Sequence, residues 1–198
     1  MAAFFSSLEK TLVAGLALLI AFIVLAGLVT GQWIRPDHAW FTFVMRWLHV
    51  LCGIMWIGIL YYFNFVQTPT MPKIDPAEHR AAVTKFILPQ ALFWFRWGAA
   101  FTVLTGLLLA WMNGYIVQAL LLHKGHHAIG IGMWLALIMA FNVWFIIWPN
   151  QQKVIGLVEA TADEKAAAGR TAGMTSRINT MLSIPMLYCM VAQQNAGL

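Results

Sequence analysis

The chain has 198 residues, 61% hydrophobic and only 10% charged. A soluble domain carries roughly 25% charged residues, so this composition excludes an ordinary soluble protein and points to one embedded in the lipid bilayer. The formal net charge of +5 lies mostly in connecting segments, where it reads as topology and anionic-lipid contact rather than nucleic-acid binding.

Five apolar stretches approach the roughly 20 residues that cross a bilayer. The first, residues 11–30, carries no charge. It is followed by Gly31, Gln32 and Trp33 without a small-residue cleavage pattern, which argues against a cleaved signal. The second, 40–66, contains Arg46 and His49. The third, 88–112, opens near Pro89 and contains Arg96. The fourth, 127–148, is expected to stop at Pro149. Residues 151–172 are mixed and charged, and an exposed or amphipathic helix ending near Gly169 or Gly173 is expected there. The fifth stretch, 177–194, is interrupted by Pro185. The expected fold is an all-α integral membrane protein, a single membrane domain over 1–198 built as a bundle of five transmembrane helices.

Loop charges give an orientation. Lys10, Lys73, Arg80, Lys85, Lys153, Lys165, Arg170 and Arg177 fall on one side, and Arg35 and Lys124 on the other. The positive-inside rule then puts the amino terminus in the cytoplasm and the carboxyl terminus in the periplasm. Cys52 and Cys189 lie in different apolar stretches and form no CxxC, so neither a disulfide framework nor a c-type haem attachment is encoded by them.

Chemistry is expected first at Arg46 and His49. Ionisable side chains at membrane depth are costly and mark function by default. Their i, i+3 spacing puts both on one helix face. A histidine able to ligate iron, next to an arginine able to hold a propionate, suits haem b. Gly53, four residues after His49, leaves room for a flat macrocycle. The fourth stretch opens HHAIGIG, where Gly130 follows His126 by four. A haem clamped between stretches two and four is therefore expected, with His49 and either His126 or His127 as iron ligands. Depth in the helix favours His127 and the repeated spacing favours His126.

The seven acidic residues all lie outside the spans. Arg46 and Arg96 thus lack an intramembrane carboxylate, and a buried guanidinium needs an anion or acceptors. Propionates would serve Arg46, with snorkelling towards Asp37 as the rival reading. Arg96 and Asn142 are the expected contacts for a substrate or anion, although helix packing also explains Asn142. Thr102, Thr105 and Gly106 read as helix-packing positions. A carboxylate proton relay is excluded on the same acid count, and neither a copper path nor a phosphate loop, nucleophile elbow or zinc motif is encoded. A reading from another class is a haem-free structural or accessory subunit of a larger membrane complex.

The segments RWLHVLCGIMWIGILYYFNFVQTP, FWFRWGAAFTVLTGLLL and HHAIGIGMWLALIMAFNVWFIIWPNQQKVI resemble the membrane domain of the bacterial membrane-bound urate hydroxylase (urate oxidase N-terminal) family, over most of the chain. The second stretch, His49 to Gly58, is similar more weakly to the haem-binding protoporphyrinogen oxidase of bacterial membranes. The urate resemblance implies a multi-pass protein of the bacterial inner membrane with redox activity. In that family a carboxyl-terminal cytochrome c domain accepts electrons. This sequence ends QQNAGL without a CxxCH, so the expected acceptor is a separate periplasmic cytochrome c or a membrane complex. Substrate, haem count and homo- or hetero-oligomeric state stay open at this point.

Overall fold

The computed structural model describes residues 2–76, 78–195 and 197; these are helical wherever regular, with no β-strand among them. The chain divides into two compact units, Met1–Phe41 and Thr42–Leu198.

The first unit holds α1 (Ala2–Phe5) and α2 (Leu8–Thr30). Ser7 caps α2, its hydroxyl accepting the Lys10 N–H. Gly31 ends it in the left-handed conformation at φ 68°, its N–H donating to the Gly27 carbonyl at 2.9 Å. Apolar side chains on all sides of α2 are exposed, as expected of a helix surrounded by lipid.

The next helix, α3 (His38–Tyr61), starts at the unit boundary, where Asp37 Oδ1 accepts the Trp40 N–H at 2.9 Å. Beyond it come a π turn (Tyr62–Gln67), α4 (Thr68–Thr70), a 3-10 turn (Met71–Lys73) and α5 (His79–Ala82). A second π turn (Val83–Ile87) leads into α6 (Leu88–Met112), followed by the short α7 (Ile116–Leu120). Then come α8 (His127–Phe141), a third π turn (Asn142–Ile147), α9 (Trp148–Val154) and α10 (Ala162–Ala192).

Each π turn has the same cause. Pro69, Pro89 and Pro149 each stand two positions beyond the last π residue. A proline ring collides with the carbonyl four residues back and offers that carbonyl no N–H. A wider turn relieves both problems, and the N–H groups of Thr68, Leu88 and Trp148 reach five residues back, to Phe63, Val83 and Val143. The helix therefore does not stop at Pro149 as the sequence suggests; it runs on to Val154.

Helical runs Leu8–Thr30, His38–Lys73, His79–Met112 and His127–Val154 are long and apolar enough to cross a membrane. They cover the first four expected spans, each extended at one or both ends. The carboxyl-terminal region differs from expectation. No helix ends near Gly169 or Gly173; α10 is continuous from Ala162 through both glycines and past Pro185. Two interior glycines cost about 1 kcal/mol each relative to alanine. Against that stands tertiary packing, since Ala168, Ala172, Thr175 and Ser176 around them are buried.

Within the second unit, α3 and α6 are antiparallel. Phe63 meets Phe95, Trp56 lies against Gly98, and His49 against Gly106. Likewise α8 and α10 are antiparallel, with contacts at Ile129–Gln193, Gly132–Cys189 and Asn142–Asn179. Small residues permit both approaches: a Cβ on Gly98 would lie 3.2 Å from the Trp56 nitrogen, and one on Gly132 would lie 3.2 Å from the Cys189 Cβ. The main core fills the end bearing the π turns, around Trp56, Leu60, Leu92, Phe95, Met139 and Val143. One face of α10 brings polar groups into it. Tyr61 and Ser183 hydroxyls are 2.9 Å apart, Asn64 donates to Ser176 at 2.8 Å, and Asn142 donates to Asn179 at 2.8 Å. Asn179 in turn donates to the Met139 carbonyl at 2.9 Å, so this fully buried amide is satisfied.

Candidate functional site

A cavity of about 560 Å³ opens between the α3–α6 pair and the α8–α10 pair. That volume lies in the range of small-molecule and cofactor sites, roughly 300–1,000 Å³. One wall carries Arg46, His49, Gly53 and Trp56 from α3, with Thr102 and Gly106 from α6. The facing wall is apolar and sulfur-rich, with Met133 from α8 and Met186 and Met190 from α10. At the rim, where α6 and α10 end, Arg46, Tyr115, Gln194 and Asn195 add polar groups to the lining.

His49 is fixed by α6. Its Nδ1 lies 2.9 Å from the Thr102 carbonyl oxygen and 3.3 Å from the Thr105 hydroxyl. A carbonyl can only accept, so Nδ1 is the protonated nitrogen and Nε2 keeps its lone pair. Nε2 has no hydrogen-bond partner among the described residues. A histidine whose second nitrogen is tied to a carbonyl has the orientation and tautomer of a metal ligand. The ring fits only because position 106 has no side chain: a Cβ there would lie 2.8 Å from His49 Cε1.

In the same wall, Trp56 is fully buried and its indole N–H has no hydrogen-bond partner among the described residues. Buried donors are normally paired, so this N–H is an exception within the lining. At the rim, burial pushes the Tyr115 phenol above its ordinary pKa, and the nearby Arg46 charge pulls it partly back. Arg46 forms no ion pair among the described residues. Asp37, its rival partner in the sequence reading, serves as the cap of α3.

The remaining sequence-predicted residues lie elsewhere. His126, the residue preceding α8, is half-buried and its ring packs on Tyr115 with centroids 5.9 Å apart. Its Nδ1 is buried without a hydrogen-bond partner among the described residues. His127, the first residue of α8, is exposed. Neither histidine is among the residues lining the cavity. Gly130 faces α7, where any Cβ would strike the Ala119 carbonyl oxygen and the Leu122 side chain. The start of α8 is held by Gln193, which accepts the Ile129 N–H at 3.2 Å and donates to the Gly125 carbonyl at 2.8 Å. Arg96 lies over the Trp148 ring, its guanidinium carbon 3.3 Å from the centroid, with Trp144 at 5.6 Å. Asn142 is engaged with Asn179. Neither lines the cavity.

Sequence reasoning treated Thr102, Thr105 and Gly106 only as packing positions, weighed the methionines only for a copper path, and passed over Tyr115. A signal existed for the first group. Gly98, Thr102 and Gly106 repeat at four-residue spacing, the small-residue stripe of a close helix contact, so α6 is a natural neighbour for α3.

No group of three or more His, Cys, Asp or Glu residues converges among the described residues. A porphyrin brings four nitrogens of its own, so one or two protein ligands suffice for its iron. No curated protein and no solved structure matches the chain. The likeness to protoporphyrinogen oxidase therefore gains no support. Residues 110–196 match the family model described as urate oxidase N-terminal. That stretch supplies Tyr115 and the α8–α10 wall, whereas Arg46 and His49 precede it. Over residues 110–196, less than half of its length, the chain is thus similar to the urate oxidase N-terminal family.

Proposed function

We propose that the chain is a haem b-binding membrane protein of the urate hydroxylase type, with its haem seated in the cavity between the two helix pairs. The observation that carries this reading is His49, with Nδ1 tied to the Thr102 carbonyl at 2.9 Å and Nε2 left free in a cavity wall. When bound, haem b supplies a one-electron couple at iron. The protein's part is to hold and orient. Thr102 fixes the imidazole so that Nε2 presents its lone pair. Arg46 offers a guanidinium to carboxylates at the rim, with the Tyr115 phenol beside it. The apolar wall of α8 and α10 keeps water from the interior of the cavity. Electrons then leave to a periplasmic cytochrome c or a partner membrane complex.

The reading includes α10 as a fifth span, with the amino terminus cytoplasmic and the carboxyl terminus periplasmic in a bacterial inner membrane. Supporting α10 is the fate of its polar residues. Ser176, Asn179 and Ser183 lower its mean hydropathy, yet all are buried and hydrogen-bonded against neighbouring helices. Such groups act as interhelical contacts and need not meet lipid. The loop charges support the orientation.

The test is the absorption spectrum of the protein purified after expression with haem supplied. A Soret band and a b-type pyridine haemochrome are expected, with haem lost or its spectrum altered in His49→Ala. A colourless wild-type protein would sink the reading and favour a haem-free accessory subunit.

A further inference from the structure

We propose that the second axial ligand is a thioether, the Sδ of Met190, rather than an imidazole. The proposal rests on the haem reading above. Among the cavity-lining residues His49 is the only histidine. The facing wall offers the sulfurs of Met133, Met186 and Met190 instead. Thioether sulfur is an established partner of histidine at haem iron.

Depth and burial together separate the three. His49 meets α6 at Thr102, Thr105 and Gly106. The main core touches α6 below that level, at Leu92, Phe95 and Ala99, and a second core touches it above, at Leu107 and Ala110. Met186 belongs to the first core and Met133 to the second. Met190 packs against both; Met133, beside the Gly132 that meets Cys189 and Met190, shares its depth but is buried, as is Met186. Met190 is only half-buried, and its neighbour Cys189 makes the close contact with Gly132. Its long unbranched side chain can therefore adjust to an occupant without separating α8 from α10.

The experiment uses the full chain, purified in detergent with haem b supplied. Near-infrared absorption and magnetic circular dichroism of the oxidised protein report a thioether-to-iron charge-transfer band. The wild type is expected to show it. Met190→Leu conserves volume and is expected to keep haem on His49, lose the band and shift the midpoint potential downward. Met190→His is expected to convert the spectrum to the bis-imidazole type. Met133→Leu and Met186→Leu should keep the band. Haem present in the wild type without a thioether band would overturn the assignment and leave the haem reading intact, as would a band that survives Met190→Leu. A wild-type protein that takes up no haem overturns both.

Discussion

The carbonyl oxygen of Thr102 lies 2.9 Å from Nδ1 of His49 and also accepts the Thr105 hydroxyl at 3.2 Å. One backbone oxygen on α6 therefore fixes the ring of a residue on α3. A backbone acceptor cannot ionise or rotate away, so the imidazole keeps one tautomer as long as the two helices stay in contact. His49 depends on helix packing as much as on its own identity.

Gly106→Ala tests that dependence directly. The new methyl would lie 2.8 Å from Cε1 and 3.1 Å from Nδ1 of His49. Overpacking of this kind costs about 1–3 kcal/mol. The ring or α6 must move, so weaker haem retention and an altered Soret position are expected, while far-ultraviolet circular dichroism stays helical. Gly173→Ala is the control, since open space surrounds a Cβ there and position 173 does not line the cavity.

Asn179→Ala removes two hydrogen bonds at a fully buried position, to Asn142 and to the Met139 carbonyl. Leaving buried partners unsatisfied costs roughly 1–3 kcal/mol in soluble proteins, and about 0.6 kcal/mol per interhelical bond in membranes. A lower midpoint of thermal unfolding in detergent is expected. Met181→Ala, on the exposed side of α10, should change it much less.

Arg96→Leu tests the aromatic clasp. The guanidinium carbon sits 3.3 Å from the Trp148 centroid, and such contacts contribute about 0.5–2 kcal/mol. A modest loss of stability is expected with the haem spectrum unchanged, because Arg96 does not line the cavity. A spectral change equal to that of His49→Ala would contradict this separation of roles. Arg96→Lys should recover only part of the stability, since an ammonium lacks the planar stacking surface.

Acid should loosen the start of α10. The Thr161 backbone N–H donates to Glu164 at 2.7 Å, the Thr161 hydroxyl donates to the same carboxylate at 3.1 Å, and together they hold its pKa below the ordinary carboxylate range. A group with a lowered folded pKa contributes stability above its unfolded pKa and loses it as pH falls through the folded value. Amide exchange in the first turn of α10 should therefore quicken as pH drops below the ordinary carboxylate pKa, after correction for intrinsic rates. Glu164→Gln should show little of this pH dependence.

Much of the fold was legible because lipid imposes a simple requirement, long apolar stretches, and four of these stand at the expected places. The prolines misled at Pro149, since a helix ends there only if the turn before it stays narrow. In α10 the charged first half and polar second half hide one continuous helix, whose buried amides and hydroxyls pair across helices. Of the site, Arg46 and His49 were legible from the cost of ionisable groups in lipid. The neighbour of His49 was not, because the two histidine–glycine spacings are alike while their surroundings differ. Gly53 lines a cavity, whereas Gly130 makes room for the Ala119 carbonyl. Helical spacing shows which residues share a face, but not what that face meets.

The three π turns lie at one end of the antiparallel bundle, and the cavity rim lies at the other. A turn already widened by one residue can take up a deletion by closing to the ordinary pitch, or yield to a bend, without rotating the helix on its cavity side. The glycine contacts at positions 106 and 132 allow no such slack, because a shift of one residue turns a helix face by about 100°. The two ends therefore differ in what they tolerate: the proline end can absorb a change in length or pitch, and the cavity end holds its register.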